Sequence, residues 1–290
     1  MATETTAGYV ASRRIGEATV TVISEGTFPW KLDLEAPEAE WRRAIPEANA
    51  AGEVILGANV VHIRLGSASI LVDPGFADPS EPPPAYFPGL KRSPGLLAGL
   101  AAIGVAPEEI THVVITHAHS DHFMGVTAER DGERLARFPR ARHLLGRPEW
   151  DGNSERTQPD SPLMVQLGTI ARLGLLDLID GLQEVVPGVT IIPAPGETPG
   201  HSIVRVRSGG ETCFILGDLF HHACEVSHVD WVSPWPDRAA MRSSREQLIA
   251  EALASHATLI YTHAPFPGWG RIVAEAGSYL WKPEYASGPA

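Results

Sequence analysis

The sequence predicts an α/β fold in which β-sheets are covered by helices. Three observations carry that expectation. Strand-like and helix-like runs alternate irregularly, the early strands are joined by tight hairpin turns, and the later strands are separated by stretches long enough for helices. Early hairpins argue against a purely parallel doubly wound sheet.

Taken in order, Ala18–Ser24 (ATVTVIS) is the first strand signal. Residues 25–57 carry Trp30 and Trp41 without a clear period and read as an N-terminal excursion, with one short helix around Ala36–Ala44. Asn59–Leu65 and Ser69–Asp73 follow as two β-rich runs, joined through Gly66 and Ser67 as a tight hairpin requires. Residues 78–92 form a surface loop whose prolines exclude a helix or a central strand. Gly95–Ile103 is apolar at helical spacing, and Val105-Ala106-Pro107 breaks it before the strand Thr111–Thr116. Ala141–Leu145 reads as a strand, Leu163–Leu178 as an amphipathic helix, and Val189–Ala194, Ser202–Arg207 and Thr212–Leu216 as strands. Arg238–Ala254 is a helix and Thr258–Thr262 a final buried strand. No repeat, low-complexity run or block of like charge divides the chain, so residues 1–290 are expected to form one domain.

Composition narrows the function classes. No stretch approaches the roughly 18 apolar residues of a membrane span, and the N-terminal segment lacks an apolar run behind a basic start. A cytoplasmic protein is the expectation. With 23 Lys and Arg against 35 Asp and Glu, the net charge of −12 repels phosphate backbones and anionic lipid surfaces. Neither nucleic acid nor a membrane is therefore expected as a partner; a small-molecule substrate is, and a homo-oligomer is compatible with the sequence. Cys213 and Cys224 are too few for a disulfide framework and match no zinc-binding Cys pair, so both read as reduced thiols.

Histidine, with 12 residues, is the informative count, because neutral imidazole is a common metal ligand. After the strand Thr111–Thr116 the chain reads His117-Ala118-His119-Ser120-Asp121-His122. Such a fixed H-x-H-x-D-H arises by chance roughly once in a thousand sequences of this composition. Two imidazoles at i and i+2 on an extended strand end point to one side, and the next carboxylate and imidazole follow on the turn. One loop thus offers four ligands to two adjacent ions. Further donors stand at other strand ends: His201 in the Thr198-Pro199-Gly200-His201-Ser202 turn, Asp218 after the run Phe214-Ile215-Leu216-Gly217, and His263 after Leu259–Thr262.

This ordered series, HxHxDH, then TPGHS, then GD, then a late His, resembles the metallo-β-lactamase-fold hydrolase superfamily from about Asn59 to Trp281. The resemblance implies an αββα sandwich of two packed mixed β-sheets with helices on the outer faces and a binuclear site at the sheet edges. It implies that His117, His119 and His201 hold one metal, that Asp121, His122 and His263 hold the other, and that Asp218 bridges them. Asp73, in the LVDPG turn, is expected to support the site through hydrogen bonds. Imidazole and carboxylate donors suit two divalent ions, Zn²⁺ first and Mn²⁺, Fe²⁺ or Co²⁺ after it. Two such cations share and deprotonate a water, and the resulting hydroxide attacks an ester, lactone or phosphotriester without a protein nucleophile. Ser120 and Ser202 lie beside the ligands, yet neither occupies a G-x-S-x-G elbow.

Within the superfamily, the common class B β-lactamases carry a Cys where Asp218 stands. Nucleases carry a large insertion that the 44 residues between Asp218 and His263 do not accommodate. Glyoxalase-II-like thioesterases add a basic helical C-terminal part, whereas Arg271 and Lys282 are the basic residues after His263. The methyl-parathion-hydrolase-like and lactonase-like groups remain, and the Phe266-Pro267-Gly268 run favours the former. N-acyl-homoserine lactonases place a tyrosine three residues after the bridging Asp; here that position is His221. Asp121 and His221 are the candidate catalytic side chains, His221 as a donor to a developing oxyanion or as a hydrogen-bonding support. Trp30, Phe123, Trp150, Phe220, Trp231, Trp235, Phe266 and Trp269 are candidates for an apolar pocket. The alternatives to the general hydrolase are an N-acyl-homoserine lactonase and a non-catalytic metal-binding pseudoenzyme.

Overall fold

Two mixed β-sheets pack face to face in the computed structural model, which describes residues 4–76, 87 and 89–284. Among the described residues one sheet has nine strands and the other seven, and a small hairpin, Thr127–Arg130 with Glu133–Ala136, stands apart. In the first sheet Val10–Ile15, Ala18–Lys31, Glu53–Leu65 and Ala68–Val72 run antiparallel in sequence order. His112–Ile115, Arg142–Gly146 and Leu176–Ile179 then add in parallel. In the second, Gln183–Val186, Val189–Pro193, Ser202–Ser208 and Glu211–Ile215 are antiparallel neighbours. Thr258–Ile260 joins parallel to Glu211–Ile215, and Trp269–Glu275 with Ser278–Pro283 completes the sheet.

Period-two alternation builds the layers. Val20, Val22, Ile63 and Val114 of the first sheet meet Ile191, Val204, Val206 and Ile215 of the second in the inter-sheet core. The intervening residues Ile23, Val113 and Ile115 face outward onto Leu96 and Leu100 of the helix Gly95–Ala102 and onto Leu163, Leu167 and Ile170 of the helix Pro162–Arg172. On the far side Phe214, Leu216 and Leu259 pack against Met241, Leu248, Ile249 and Ala252 of the helix Arg238–Ser255. The αββα sandwich is thus observed. Asp237 caps that last helix by accepting from the Ala240 N–H at 3.0 Å, and Ser161 caps Pro162–Arg172 from Met164 at 3.2 Å.

Three expectations change. Much of the excursion at residues 25–57 is strand: Ala18–Lys31 and Glu53–Leu65 pair along their length, the register shifting between Ser24 and Gly26, and the short helix Glu38–Ala44 lies beyond their ends. The shift at that irregularity obscures the alternation in the sequence. The helix expected over Leu163–Leu178 ends at Arg172, where Gly174 at φ 71° stops it, and Leu176–Ile179 becomes an edge strand beside Arg142–Gly146. Of the loop at residues 78–92, residues 78–86 and 88 lie outside the described residues, while Lys91–Arg92 pairs with Gly26 and Thr27 as a short strand. No helix among the described residues is long and apolar enough to cross a membrane.

Candidate metal centre

The C-terminal ends of Ala68–Val72, His112–Ile115, Glu211–Ile215 and Thr258–Ile260, with the start of Ser202–Ser208, meet at one edge of the sandwich. There the chain places Asp73, His117, Asp218, His263 and His201. Asp218 is buried at the middle. Its Oδ2 lies 3.1 Å from His263 Nε2, 3.2 Å from His122 Nε2, 3.4 Å from His221 Nε2 and 3.7 Å from His117 Nε2. Asp121 Oδ2 stands 3.5 Å from His263 Nε2 and 3.6 Å from His122 Nε2.

The protein fixes which ring nitrogen faces the centre. Carboxylates and carbonyls only accept, so His122 Nδ1–H donates to Asp73 Oδ2 at 2.9 Å and His263 Nδ1–H donates to the Gly57 carbonyl at 2.9 Å. Thr116 Oγ1 donates to Asp73 Oδ2 at 2.8 Å and accepts from His117 Nδ1–H at 3.1 Å. The three Nε2 atoms are thereby turned inward, as metal-ligating histidines require. His119 is reversed, its Nδ1 lying 2.9 Å from His117 Nε2. Asp73 supports the site as expected, and accepts from Thr116 N–H at 2.7 Å as well.

His201 is placed differently. Its Nδ1–H donates to the Ala194 carbonyl at 2.9 Å, and its Nε2 accepts the backbone N–H of Asp218 at 3.1 Å. Gly217, at φ 52°, makes this close approach possible: a Cβ there would stand 2.8 Å from His201 Nε2 and 2.7 Å from Thr116 Oγ1. Donor atoms within 4.8 Å of one another form three groupings among the described residues: His117, His119, Glu197 and Asp218; Asp121, His122 and His263; and Asp218, His221 and His263. Six of the seven expected ligands enter these groupings. Glu197, missed in the sequence, enters one, and His201 does not.

The electrostatics favour cations. Burial pushes His117 well below its ordinary pKa, aided by the neighbouring His122 and His119, and burial takes His201 down to about 4. Burial opposes a proton on His122 and His263 too, yet Asp218 and Asp121 outweigh it and raise both. Those same imidazoles hold Asp218 well below the carboxylate range despite its burial. Against burial, the Glu197 and Asp218 carboxylates push His221 up to about 10. Asp218 Oδ1 and Glu197 Oε2 are buried with no hydrogen-bond partner among the described residues. Unspent lone pairs beside inward-turned imidazole nitrogens form a donor set that fits divalent ions.

A cavity of about 440 Å³ opens on this cluster, lined by Phe28, Trp30, Leu56, Phe87 and Trp235 on its apolar side and by His119, Ser120, Asp121, Glu155, Glu197, Asp218, His221 and His263 among its polar residues. Phe28 packs edge-on to His263 with ring centres 5.5 Å apart, and Phe87 meets Phe28 at 5.1 Å. Of the eight aromatics singled out in the sequence, Trp30 and Trp235 line the cavity; Phe123, Phe220 and Trp269 are core residues, and Trp231 belongs to the cluster around Phe28. Trp150 and Phe266 pack against cores as well. Glu149 was also missed: it is buried, and it accepts from the N–H groups of both Ala118 and Gly200 at 2.7 Å.

Fold, motif order and site geometry agree on the class: the chain belongs to the metallo-beta-lactamase superfamily, whose family model matches residues 55–263. Its relatives include a probable metallo-hydrolase of Mycobacterium tuberculosis, 27% identical over 197 residues that cover 60% of this chain and 60% of the relative. N-acyl homoserine lactonase AttM of Azorhizobium caulinodans is 28% identical over 133 residues, 42% of this chain and 45% of its own. The chain spans about 60% of the length of the metallo-hydrolase relatives. Among solved structures, AidC, a dizinc quorum-quenching lactonase in complex with a product, superposes with a TM-score of 0.77 at 21% identity, covering 96% of this chain and 98% of AidC. The hydrolase AbOPH superposes with a TM-score of 0.79, also at 21% identity and with the same coverage. At that identity the likeness establishes the fold.

Proposed function

We propose that this chain is a binuclear metal-dependent hydrolase that cleaves an uncharged ester-type bond, in an ester, lactone or phosphotriester that carries an apolar acyl or aryl group. One observation carries the reading: an aromatic cavity opens directly on the donor cluster around Asp218. His117, His119 and His201 would hold one ion, Asp121, His122 and His263 the other, and Asp218 would be shared. Zn²⁺ suits these donors best, with Mn²⁺, Fe²⁺ or Co²⁺ as substitutes. Bound ions supply Lewis acidity and an activated water.

The chain's own residues do the rest. Phe28, Trp30, Leu56 and Phe87 form a dry wall for the apolar group. Asp121 stands at the cavity surface, placed to take a proton from water there. His221 lines the same cavity, where its ring N–H can be shared between Asp218 and a substrate oxygen. The described lining holds four carboxylates and neither Lys nor Arg, which disfavours anionic substrates such as nucleic acid.

The second reading, an N-acyl-homoserine lactonase, is favoured by the relatives that bear that name and by a wall suited to an acyl chain. Metal-loaded protein is assayed on an aryl ester, a phosphotriester and an acyl-homoserine lactone. Turnover of at least one is expected, lost to a chelator and restored by metal. Two ions bound with no turnover on any of the three leaves a non-catalytic metal-binding protein in its place.

A further inference from the structure

We infer that Glu197 is a metal ligand in its own right, supplying an oxygen to the ion held by His117 and His119. This rests on the metal-centre reading above and goes beyond its seven ligands. Glu197 lies in the Gly196-Glu197-Thr198-Pro199-Gly200-His201 turn, on the side of the loop that faces the cavity. Its Oε1 is 3.4 Å from His119 Nδ1 and 4.0 Å from His221 Nε2, and its donor atom falls within 4.8 Å of those of His117, His119 and Asp218. Ligands that share a cation at bond lengths near 2.0–2.2 Å stand at about this spacing.

Burial makes the case independent of distance. Glu197 is 5% exposed, and the hydrogen bond it accepts among the described residues comes from Trp235 Nε1–H, at 3.2 Å to Oε1. Oε2 is buried with no hydrogen-bond partner among the described residues. An open lone pair on a buried carboxylate oxygen is the kind of group that a dication beside it would satisfy. The backbone of the turn that carries Glu197 is held in place. A Cβ at Gly196, at φ 148°, would collide with Met241 of the helix Arg238–Ser255, so the turn presses directly on that helix. Asp237 N–H donates to the Gly196 carbonyl at 2.9 Å and fixes the same turn. His201 Nε2 accepts the Asp218 N–H, and Glu197 supplies a donor atom in the grouping that His201 does not enter.

The consequence is a first ion in a harder, more anionic environment than three imidazoles give, one that accepts Mn²⁺ or Fe²⁺ more readily. The test uses full-length protein loaded with Co²⁺, whose visible band reports coordination number and donor type, and measures the rate at which a chelator removes each ion. Glu197→Gln keeps the shape and hydrogen-bonding capacity, Glu197→Ala removes the donor, and Trp235→Phe removes the indole hydrogen bond alone. The expected result is an altered band in both Glu197 variants, loss of the first ion at least about tenfold faster, and a wild-type band in Trp235→Phe. Unchanged bands in both Glu197 variants overturn the inference and leave the binuclear reading standing. Faster loss with unchanged bands also overturns it, since a carboxylate that only orients His119 behaves that way. A wild-type chain that binds no Co²⁺ overturns both.

Discussion

Glu149 reaches Gly200 across the site: its Oε1 accepts the Gly200 N–H at 2.7 Å while its Oε2 accepts the Ala118 N–H at 2.7 Å. One buried carboxylate thus ties the loop of His117 and His119 to the turn of His201. A Cβ at Gly200 would stand 2.8 Å from the Glu149 backbone nitrogen, so the fit tolerates little. Each such charge-assisted bond contributes about 1.5–3 kcal/mol, and breaking them leaves the buried Gly200 N–H and the half-buried Ala118 N–H without this acceptor. Glu149→Ala is expected to lose about 3 kcal/mol or more in urea unfolding and to retain metal poorly. Glu149→Gln, with one acceptor left, should fall between. A Glu149→Ala variant as stable as wild type would show that the two loops hold themselves.

Metal content tests the second grouping. His263 Nε2 lies between Asp218 and Asp121, and its Nδ1–H is committed to Gly57, so the ring has one nitrogen to give. Saturated protein should carry two ions and His263→Ala about one, by elemental analysis after gel filtration. A single ion in both would remove the site formed by Asp121, His122 and His263.

Asp218 and Ser120 separate two mechanisms. Removing Asp218 takes away a buried carboxylate whose Oδ2 lies 3.7 Å from His117 Nε2, 3.2 Å from His122 Nε2 and 3.1 Å from His263 Nε2, and two cations would then repel across the gap. Asp218→Ala should lower kcat/KM by orders of magnitude with a matching loss of metal. Ser120 lines the cavity, and among the described residues no hydrogen bond links its hydroxyl to a base, so Ser120→Ala should retain most activity. A fully metallated Ser120→Ala with no turnover would mean that the serine attacks.

What was legible in the sequence followed from local chemistry. The H-x-H-x-D-H loop, Asp218 and His263 each end an apolar strand, and strand ends on one sheet edge converge whatever the details of packing. Glu197 and Glu149 were not legible, because a glutamate in a turn or in Arg147–Asp151 gains its meaning from a partner far along the chain. Glu149 meets Gly200, 51 residues away. The one available hint was that Glu197 shares the His201 turn, four residues before it. Strand Leu176–Ile179 was hidden for a similar reason. Its residues continue the helical pattern, and only Gly174 and the neighbouring Arg142–Gly146 convert it to β.

Glu25 links stability to pH. Burial pushes its carboxyl from 4.5 up to about 8, although the Phe76 N–H that it accepts at 2.6 Å and the Arg92 charge pull the other way. Between those values the unfolded chain loses the proton while the folded chain keeps it, so the folded state binds more protons. Stability from this group is full below about pH 4.5 and is lost as pH rises through about 8, at up to about 1.4 kcal/mol per pH unit. Glu25→Gln should therefore gain on wild type as pH rises from about 5 to about 8, in urea midpoints taken at each pH. A difference that stays constant with pH would show that the carboxyl is already ionised in the fold.

On the proposed function, substrate choice is expected to turn on His221. A lactone needs its carbonyl oxygen polarised as the ring opens, and a phenol three residues after Asp218 would reach further to supply that hydrogen bond. The His221 ring instead stacks on His263, at 5.6 Å between centres and 8° between planes, with Nε2 drawn to Asp218 at 3.4 Å. It is therefore held against the cluster at the cavity wall. Activated aryl esters or phosphotriesters, whose leaving groups depart without help, should be hydrolysed faster than lactones. His221→Tyr should raise lactone turnover relative to the aryl substrates, and His221→Phe should change the pH profile for all three by removing the ring nitrogens beside Asp218. The measurement is kcat/KM for one lactone, one aryl ester and one phosphotriester across pH, with metal content checked in each variant. Should wild type strongly prefer long-chain acyl-homoserine lactones, the lactonase reading replaces the broader one. Should His221→Phe leave all three rates and profiles unchanged, the ring only fills space and polarisation comes from the metals.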